Sequence, residues 1–192
     1  RDRNDEDPHE INTLFFFFFI TNGGYGGFGA GYSNIDGKDA IVMNARAAWI
    51  INYSLGVGFS GSGFINDFHY DRVYDDYVNL TGGYGGILIE PILFPRFPFH
   101  LAFPVVAGVG GIAYTTTEYV RDHYEYGDTW VEDTETFLIF EPGAELEINV
   151  LRFFRMAIGM SYRMTTDINL MDTPVDVLDG FTTGISFKFG KF

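Results

Sequence analysis

Charged side chains capable of ion pairing lie in three otherwise apolar segments of the chain. In each segment the charges share one parity and apolar residues share the other. Successive side chains of a β-strand point to opposite faces, so the charges would share one face of a sheet. Because an isolated buried charge is costly, acidic and basic groups on an enclosed face are expected to pair. These candidate residues are Arg46, Glu141, Glu145, Glu147, Arg155 and Arg163.

The same alternation is clearest in the last segment, FTTGISFKFGKF. One parity carries Phe181, Thr183, Ile185, Phe187 and Phe189, and the other carries small or polar residues and Lys188. Each clean segment spans about ten residues, the length that a tilted strand needs to cross a bilayer. The pattern therefore predicts strands with one face toward lipid.

Composition limits the function classes. The chain has 192 residues, enough for one domain, and its formal net charge of −14 argues against nucleic-acid binding. It has no Cys, which rules out disulfides and thiolate metal sites. No apolar run reaches the ~18 residues of a membrane helix. If the chain crosses a bilayer, strands are its only route, since lipid-exposed backbone must be paired internally.

The strands and their connections indicate a barrel. Connections alternate between tight turns and long acidic loops, the asymmetry expected of an outer-membrane barrel. An even strand count places both chain ends on the short-turn rim, which would be periplasmic. Gly-rich patterns, or apolar residues on both faces, leave the register of strands one, four and five open, and a bulge or a register shift is expected there. The eight predicted strands cover residues 22–34, 39–52, 54–66, 78–92, 99–115, 136–149, 153–166 and 179–190.

The chain thus divides into an N-terminal tail at 1–20 and an all-β, eight-stranded antiparallel up-and-down transmembrane barrel at 21–192. The tail is expected to be flexible and periplasmic. Its sequence RDRNDEDPHE lacks the features of a secretory signal peptide, so we take the chain as a mature form.

The segment GISFKF at 184–189 resembles the closing strand of the small OmpA/OmpX-type outer-membrane barrels, with Phe189 in the position of the closing aromatic. The Gly-rich sequence and acidic loops resemble barrels of Bacteroidetes. The family resemblance implies a multi-pass protein of the Gram-negative outer membrane, in contact with lipid and lipopolysaccharide. It also implies assembly by the outer-membrane insertion machinery, which would recognise the last strand through Phe181, Ile185, Phe187 and Phe189. Members of the family include structural barrels, adhesins and a few lipid-modifying enzymes.

An eight-stranded barrel has an interior just wide enough for side chains to fill. We therefore interpret the six charged residues as a salt-bridge network that plugs the lumen. A narrow polar or proton path is an alternative. Acid–base catalysis by paired carboxylates is a weaker one, because a plugged lumen gives a substrate no access.

The predicted outer loops carry aromatic residues that could contact a partner or form the outer membrane girdle. Two loop histidines, His69 and His123, lie in no recognisable catalytic arrangement. Loop carboxylates could bind Ca²⁺ or Mg²⁺, but no DxDxDG-like spacing supports this, so we predict no metal and no cofactor. The aromatic candidates are Phe68, Tyr70, Tyr74, Tyr77, Tyr124, Tyr126 and Trp130.

The sequence therefore predicts a non-enzymatic outer-membrane barrel, structural or an accessory subunit beside other outer-membrane proteins. Two alternatives stay open. A lipid-modifying enzyme would depend on His69 or His123. A soluble lipocalin-like carrier would turn its apolar parity into a cavity.

Overall fold

The computed structural model describes residues 22–66, 69–71, 76–117, 129–169 and 174–192, and the predicted tail at 1–20 lies outside them. The described residues form ten strands and no helix. The strands are β1 (Asn22–Ile35), β2 (Lys38–Ile51), β3 (Leu55–Asn66), β4 (His69–Asp71), β5 (Asp76–Leu93), β6 (Phe99–Ala102), β7 (Val105–Thr117), β8 (Thr129–Leu151), β9 (Phe154–Thr165) and β10 (Gly180–Lys191). No helix in the described part of the chain is long and apolar enough to span a membrane.

The strands close into an antiparallel ring. β1 pairs with β2 on one side and with β10 on the other, so the sheet has no free edge there. β6 and β7 are two parts of one barrel strand, since both lie between β5 and β8. The short β4 pairs with the start of β5. The ring therefore has eight barrel strands, and the predicted fold is confirmed.

The expected irregularity lies in the fifth barrel strand, at Phe103 and Pro104, which separate β6 from β7. Proline has no backbone N–H to donate to the sheet. Its carbonyl still accepts a hydrogen bond from Gly143 N at 2.7 Å, and Phe103 N donates to Pro91 O at 2.9 Å. β1 and β5, the first and fourth barrel strands, run without a break. Further register shifts lie at Tyr114/Thr115 and Asn149/Leu151.

The apolar parity faces outward all around the ring. Phe59 on β3 is 72% exposed and Ile158 on β9 is 59% exposed, while Arg155, Arg163 and Lys188 are buried. A soluble lipocalin-like carrier needs the reverse orientation, so that alternative does not fit. The exposed apolar belt includes Phe28, Ile41, Met43, Trp49, Val57, Ile87, Ile89, Val109, Leu138, Phe140, Leu146, Met160, Phe181, Ile185 and Phe189.

The two rims differ as predicted. Residues 52–54, 94–98 and 152–153 form short turns on one rim, where β1 begins and β10 ends with Gly24 paired to Lys191. The opposite rim has longer connections, apart from the two-residue turn of Asp36 (φ 56°) and Gly37 (φ 70°). Positive φ at both central residues matches the right-handed twist of a hairpin.

Glycines allow the sheet to curve tightly. Gly58 faces the interior, and a Cβ there would lie 2.6 Å from Ala48 Cα and even closer to the Ala47 carbonyl oxygen. Gly61, on the outward parity of the same strand, has its nearest neighbour at 3.8 Å. A side chain at Gly58 would therefore push β2 and β3 apart, whereas one at Gly61 would extend outward without a close contact.

Gly58→Val should destabilise the folded barrel by at least ~1–3 kcal/mol, the usual range for overpacking. The measurement is the urea midpoint of the protein folded in lipid vesicles. Gly61→Val is the matched control and should leave the midpoint close to that of the wild type. Equal midpoints for the two variants would contradict the close approach of β2 to Gly58.

Candidate functional site in the barrel interior

Lys188 is the centre of a charged network in the short-turn half of the barrel. It lies on the inward parity of β10, and its ammonium reaches carboxylates on β5 and β8. The Nζ atom is 2.9 Å from Glu90 Oε2 and 2.9 Å from Glu145 Oε2, and it also contacts Glu147 Oε1. One cation therefore joins three strands of the ring.

Arg46 extends the network to β2. Its Nη1 is 2.9 Å from Glu145 Oε1 and 3.5 Å from Glu90 Oε2. The Tyr25 hydroxyl on β1 donates a hydrogen bond of 3.0 Å to Glu90 Oε2. Glu90 is 1% exposed, so these contacts replace the water that its carboxylate loses on folding.

Glu147 carries the other end of the network. His100 Nε2 lies 2.6 Å from Glu147 Oε2, and Arg155 Nη1 donates to the same oxygen at 3.3 Å. The Arg155 guanidinium stacks 3.8 Å above the ring of Phe192. Three carboxylates thus face three permanent cations and one histidine, which explains how so many charged groups remain buried.

The three carboxylates also have the spacing of a cation site, with ligand oxygens within 4.8 Å of one another. The Lys188 ammonium contacts all three. A protein side chain therefore supplies the positive charge that a metal ion would bring, and we assign no metal to this cluster.

A polar cavity of about 70 Å³ lies along the barrel axis between the network and the long-loop rim. It has room for a few water molecules. Asn44 Oδ1 and Ser186 Oγ line it and have no hydrogen-bond partner among the described residues. Water bound there would satisfy both groups, and the rest of the lumen is filled by side chains.

Glu141 lies beside this cavity and not in the network. It accepts a hydrogen bond of 2.6 Å from Ser161 Oγ and forms no ion pair within the described residues. Its predicted membership of the salt-bridge network is therefore corrected. The inward parity was right, but Glu141 lies at a different height in the barrel from Glu145 and Glu147.

Arg163 also lies apart from the network, at the long-loop end. Its Nε donates to the Leu178 carbonyl oxygen at 2.6 Å, and its Nη2 donates to Ser33 Oγ at 3.2 Å. The guanidinium lies 5.8 Å from the ring of Phe64. Arg163 thus binds backbone and hydroxyl oxygens instead of a carboxylate, a second correction to the predicted network.

The connection between β9 and β10 closes the long-loop end. The sequence placed this segment among the outer acidic loops, yet Ile168, Val177 and Leu178 are buried in a core cluster with Phe64 and Phe137. Asp179 Oδ1 accepts hydrogen bonds from Thr165 N at 2.8 Å and from Thr165 Oγ1 at 2.9 Å. The described parts of this loop therefore cap the lumen from the inside.

Three members of the network, Glu90, His100 and Lys188, were not among the predicted residues. Lys188 was readable, since it shares the inward parity of β10 with Gly184 and Ser186. Glu90 could not be assigned to the inward face from the sequence, because apolar residues occupy both parities of β5. Leu88 and Ile92 are buried inside while Ile87 and Ile89 face outward. His100 is the second residue of the four-residue strand β6, and two residues on each face are too few to show an alternating pattern.

The aromatic side chains of the closing strand lie on the outside. Phe181, Ile185 and Phe189 are exposed. Phe187 is half-buried and packs between Phe28 at 5.6 Å and Phe154 at 6.2 Å, measured between ring centroids. Phe192, by contrast, packs 6.0 Å from Tyr25 in the interior cluster at the short-turn end.

The predicted aromatic loop surface falls outside the described side chains. Phe68, Tyr74, Tyr124 and Tyr126 belong to segments that the structure does not describe. For the remaining three only the backbone is described: Tyr70 pairs with Tyr77 between β4 and β5, and Trp130 pairs with Thr116 between β8 and β7. His69 begins β4, and His123 lies outside the described residues.

No protein-family model matches the sequence, and a comparison with curated proteins finds no match. Among solved structures, the chain is similar to Neisserial surface protein A, with 11% identity, a TM-score of 0.56, and coverage of 89% of this chain and 97% of that one. It also matches Ail of Yersinia pestis in complex with a heparin analogue, sucrose octasulfate (16% identity, TM-score 0.49, coverage 88% and 97%). A third match is the N-terminal β-barrel domain of Pseudomonas aeruginosa OprF (11% identity, TM-score 0.44, coverage 88% and 96%). The likeness to the Neisserial protein shows the fold, and none of the three supports a Bacteroidetes source.

Proposed function

We propose that this protein is an OmpA/OmpX-type barrel of the Gram-negative outer membrane, with a structural or accessory role rather than an enzymatic one. The observation that carries the proposal is the exposed apolar belt around a charged, side-chain-filled interior. In water such a belt would drive aggregation, while in a bilayer it matches the hydrocarbon. The short-turn rim with both ends of the barrel would face the periplasm.

The interior supports a passive barrel and not a channel. The charged network blocks the short-turn half, and the apolar cluster under the β9–β10 loop blocks the other. A polar cavity of about 70 Å³ lies between these two plugs. Transport of solutes through the lumen is therefore disfavoured, and the outer surface and loops would carry the function.

The long strands direct attention to the loop rim. β8 has 23 residues and β5 has 18, against the ~9–11 that cross a bilayer. Their pairing with β7 continues to Thr117, beyond the end of the β3–β5 ladder at Thr81. The sheet would extend beyond the bilayer and hold acidic, aromatic loops near lipopolysaccharide or a neighbouring outer-membrane protein. Assembly would use the insertion machinery acting on β10.

The protein should remain in the outer-membrane fraction until detergent is added. Because the ring has no free sheet edge, the folded form should also resist SDS without heating. The measurement is gel mobility before and after boiling, which should differ for the folded form.

Two outcomes would contradict the proposal. A protein that stays monodisperse in buffer without detergent would be a soluble carrier. A large, stable conductance in planar bilayers would show that the lumen is open rather than plugged.

A further inference from the structure

The exposed cations of the described residues are concentrated on one rim. Arg46, Arg155, Arg163 and Lys188 face the interior, and Lys38 pairs with Asp36 on the long-loop rim at 2.6 Å. The remaining three, Arg96, Arg152 and Lys191, are exposed and lie on the short-turn rim. None of the three forms an ion pair within the described part of the chain.

The three cations belong to neighbouring pieces of backbone. The turn at 94–98 is joined to the end of β8, since Asn149 N donates to Pro98 O at 2.9 Å and Asn149 Nδ2 donates to Phe97 O at 3.2 Å. The next turn, at 152–153, is joined to the end of β10 by Gly190 N donating to Phe153 O at 2.9 Å. Arg96, Arg152 and Lys191 therefore follow one another along a single sector, called here the basic arc.

Apolar side chains flank the basic arc on its outer side. They lie at the edge of the exposed apolar belt, and Phe94 and Phe97 are each 62% exposed. Arg and Lys beside aromatic residues are typical of protein surfaces at the lipid headgroup layer. There the aliphatic stems of Arg and Lys and the aromatic rings lie in lipid, while the charged groups reach toward water. The flanking residues are Leu93, Phe94, Phe97, Phe99, Leu151 and Phe153.

Among the described residues, the exposed side-chain charge around the basic arc is of one sign. In a chain of net charge −14, no acidic side chain of the described residues is exposed on the short-turn rim. Glu90, Glu145 and Glu147 point inward at this end and are paired. The exposed acids that the structure describes, such as Asp167 and Asp176, lie at the long-loop end. The barrel is therefore electrically polar along its axis.

We propose that the basic arc binds the phosphates of anionic phospholipids in the leaflet that surrounds the short-turn rim. A guanidinium group can donate two parallel hydrogen bonds to the oxygens of one phosphate. The neighbouring phenylalanines would lie among the acyl chains. The acidic rim would be repelled by the same leaflet, so the arc also fixes the orientation of the barrel. This inference rests on the proposed outer-membrane location.

The test measures phospholipid binding to the full-length folded protein in neutral detergent micelles. Phosphatidylglycerol and phosphatidylcholine are added in separate titrations, and bound lipid is counted by native mass spectrometry. Wild type should bind phosphatidylglycerol more tightly than phosphatidylcholine. Each cation near a membrane surface raises the affinity for anionic lipid about fivefold. The Arg96→Gln/Arg152→Gln variant should therefore bind phosphatidylglycerol about 25-fold more weakly than wild type. Arg96→Lys/Arg152→Lys should retain most of the preference, and Lys38→Gln on the opposite rim is the matched control.

The outcomes separate this inference from the proposed function. Wild type that never shows the heat-modifiable folded form contradicts the outer-membrane barrel itself. Folded wild type that binds both lipids equally, or a double Gln variant that keeps the preference, overturns only the basic arc. If phosphatidylglycerol binds only after Asp5, Glu6, Asp7 and Glu10 are changed to amides, the acidic segment at 1–20 occupies the arc and the inference is wrong.

Discussion

Lys188→Met should destabilise the folded barrel by about 3–5 kcal/mol, the usual cost of removing one partner from a buried ion pair. The ammonium contacts Glu90, Glu145 and Glu147, and methionine preserves much of the side-chain volume without the charge. The three carboxylates would keep only Arg46, Arg155, His100 and the Tyr25 hydroxyl as partners. The measurement is equilibrium urea unfolding in lipid vesicles, followed by tryptophan fluorescence.

Two variants make this prediction specific to the network. Lys38→Met removes a partly exposed pair with Asp36 and should cost only ~0–1 kcal/mol. Lys188→Met/Glu145→Gln restores the charge balance and should recover part of the lost stability. If Lys188→Met is as stable as Lys38→Met, the carboxylates do not depend on Lys188 and the interpretation of the network is wrong.

Ile158→Arg should cost about 2–4 kcal/mol when the protein is folded in a bilayer, the range for arginine facing lipid near the midplane. Ile158 is 59% exposed near the middle of β9, with Ile185 and Leu146 beside it on the neighbouring strands. The arginine would have to leave water for hydrocarbon or bend toward a distant headgroup. The measurement is again the urea midpoint in vesicles, with folded protein confirmed by gel mobility.

Met164→Arg is the matched control for this prediction. Met164 lies on the same outward face of β9 but near its long-loop end, where a charge reaches the interface and costs ~0–1 kcal/mol. A depth-dependent difference between the two variants is expected only if the belt lies in a bilayer. In a soluble protein both arginines would be solvated and nearly neutral, and that result would overturn the transmembrane orientation.

Strand positions were predictable where one face meets lipid and the other faces the interior. Residues 39–52 were predicted for the strand observed as Lys38–Ile51, and 179–190 for the strand observed as Gly180–Lys191. The prediction of 136–149 missed the start of β8, which begins at Thr129. Beyond the bilayer both faces of a strand can be wetted, so the apolar alternation that marks a strand is lost.

The candidate site, like the strands, could be predicted from the sequence only in part. Alternation alone assigned Arg46, Glu145, Glu147 and Arg155 to the enclosed face, because a strand repeats its direction every two residues. Only the tertiary structure decided which of the enclosed charges meet, since the stagger between strands sets the height of each side chain along the barrel axis. That stagger brings Lys188 between Glu90 and Glu147, and leaves Glu141 with Ser161 and Arg163 with Leu178. The inward fold of the β9–β10 loop was likewise decided by packing between segments distant in sequence, which an alternating pattern does not record.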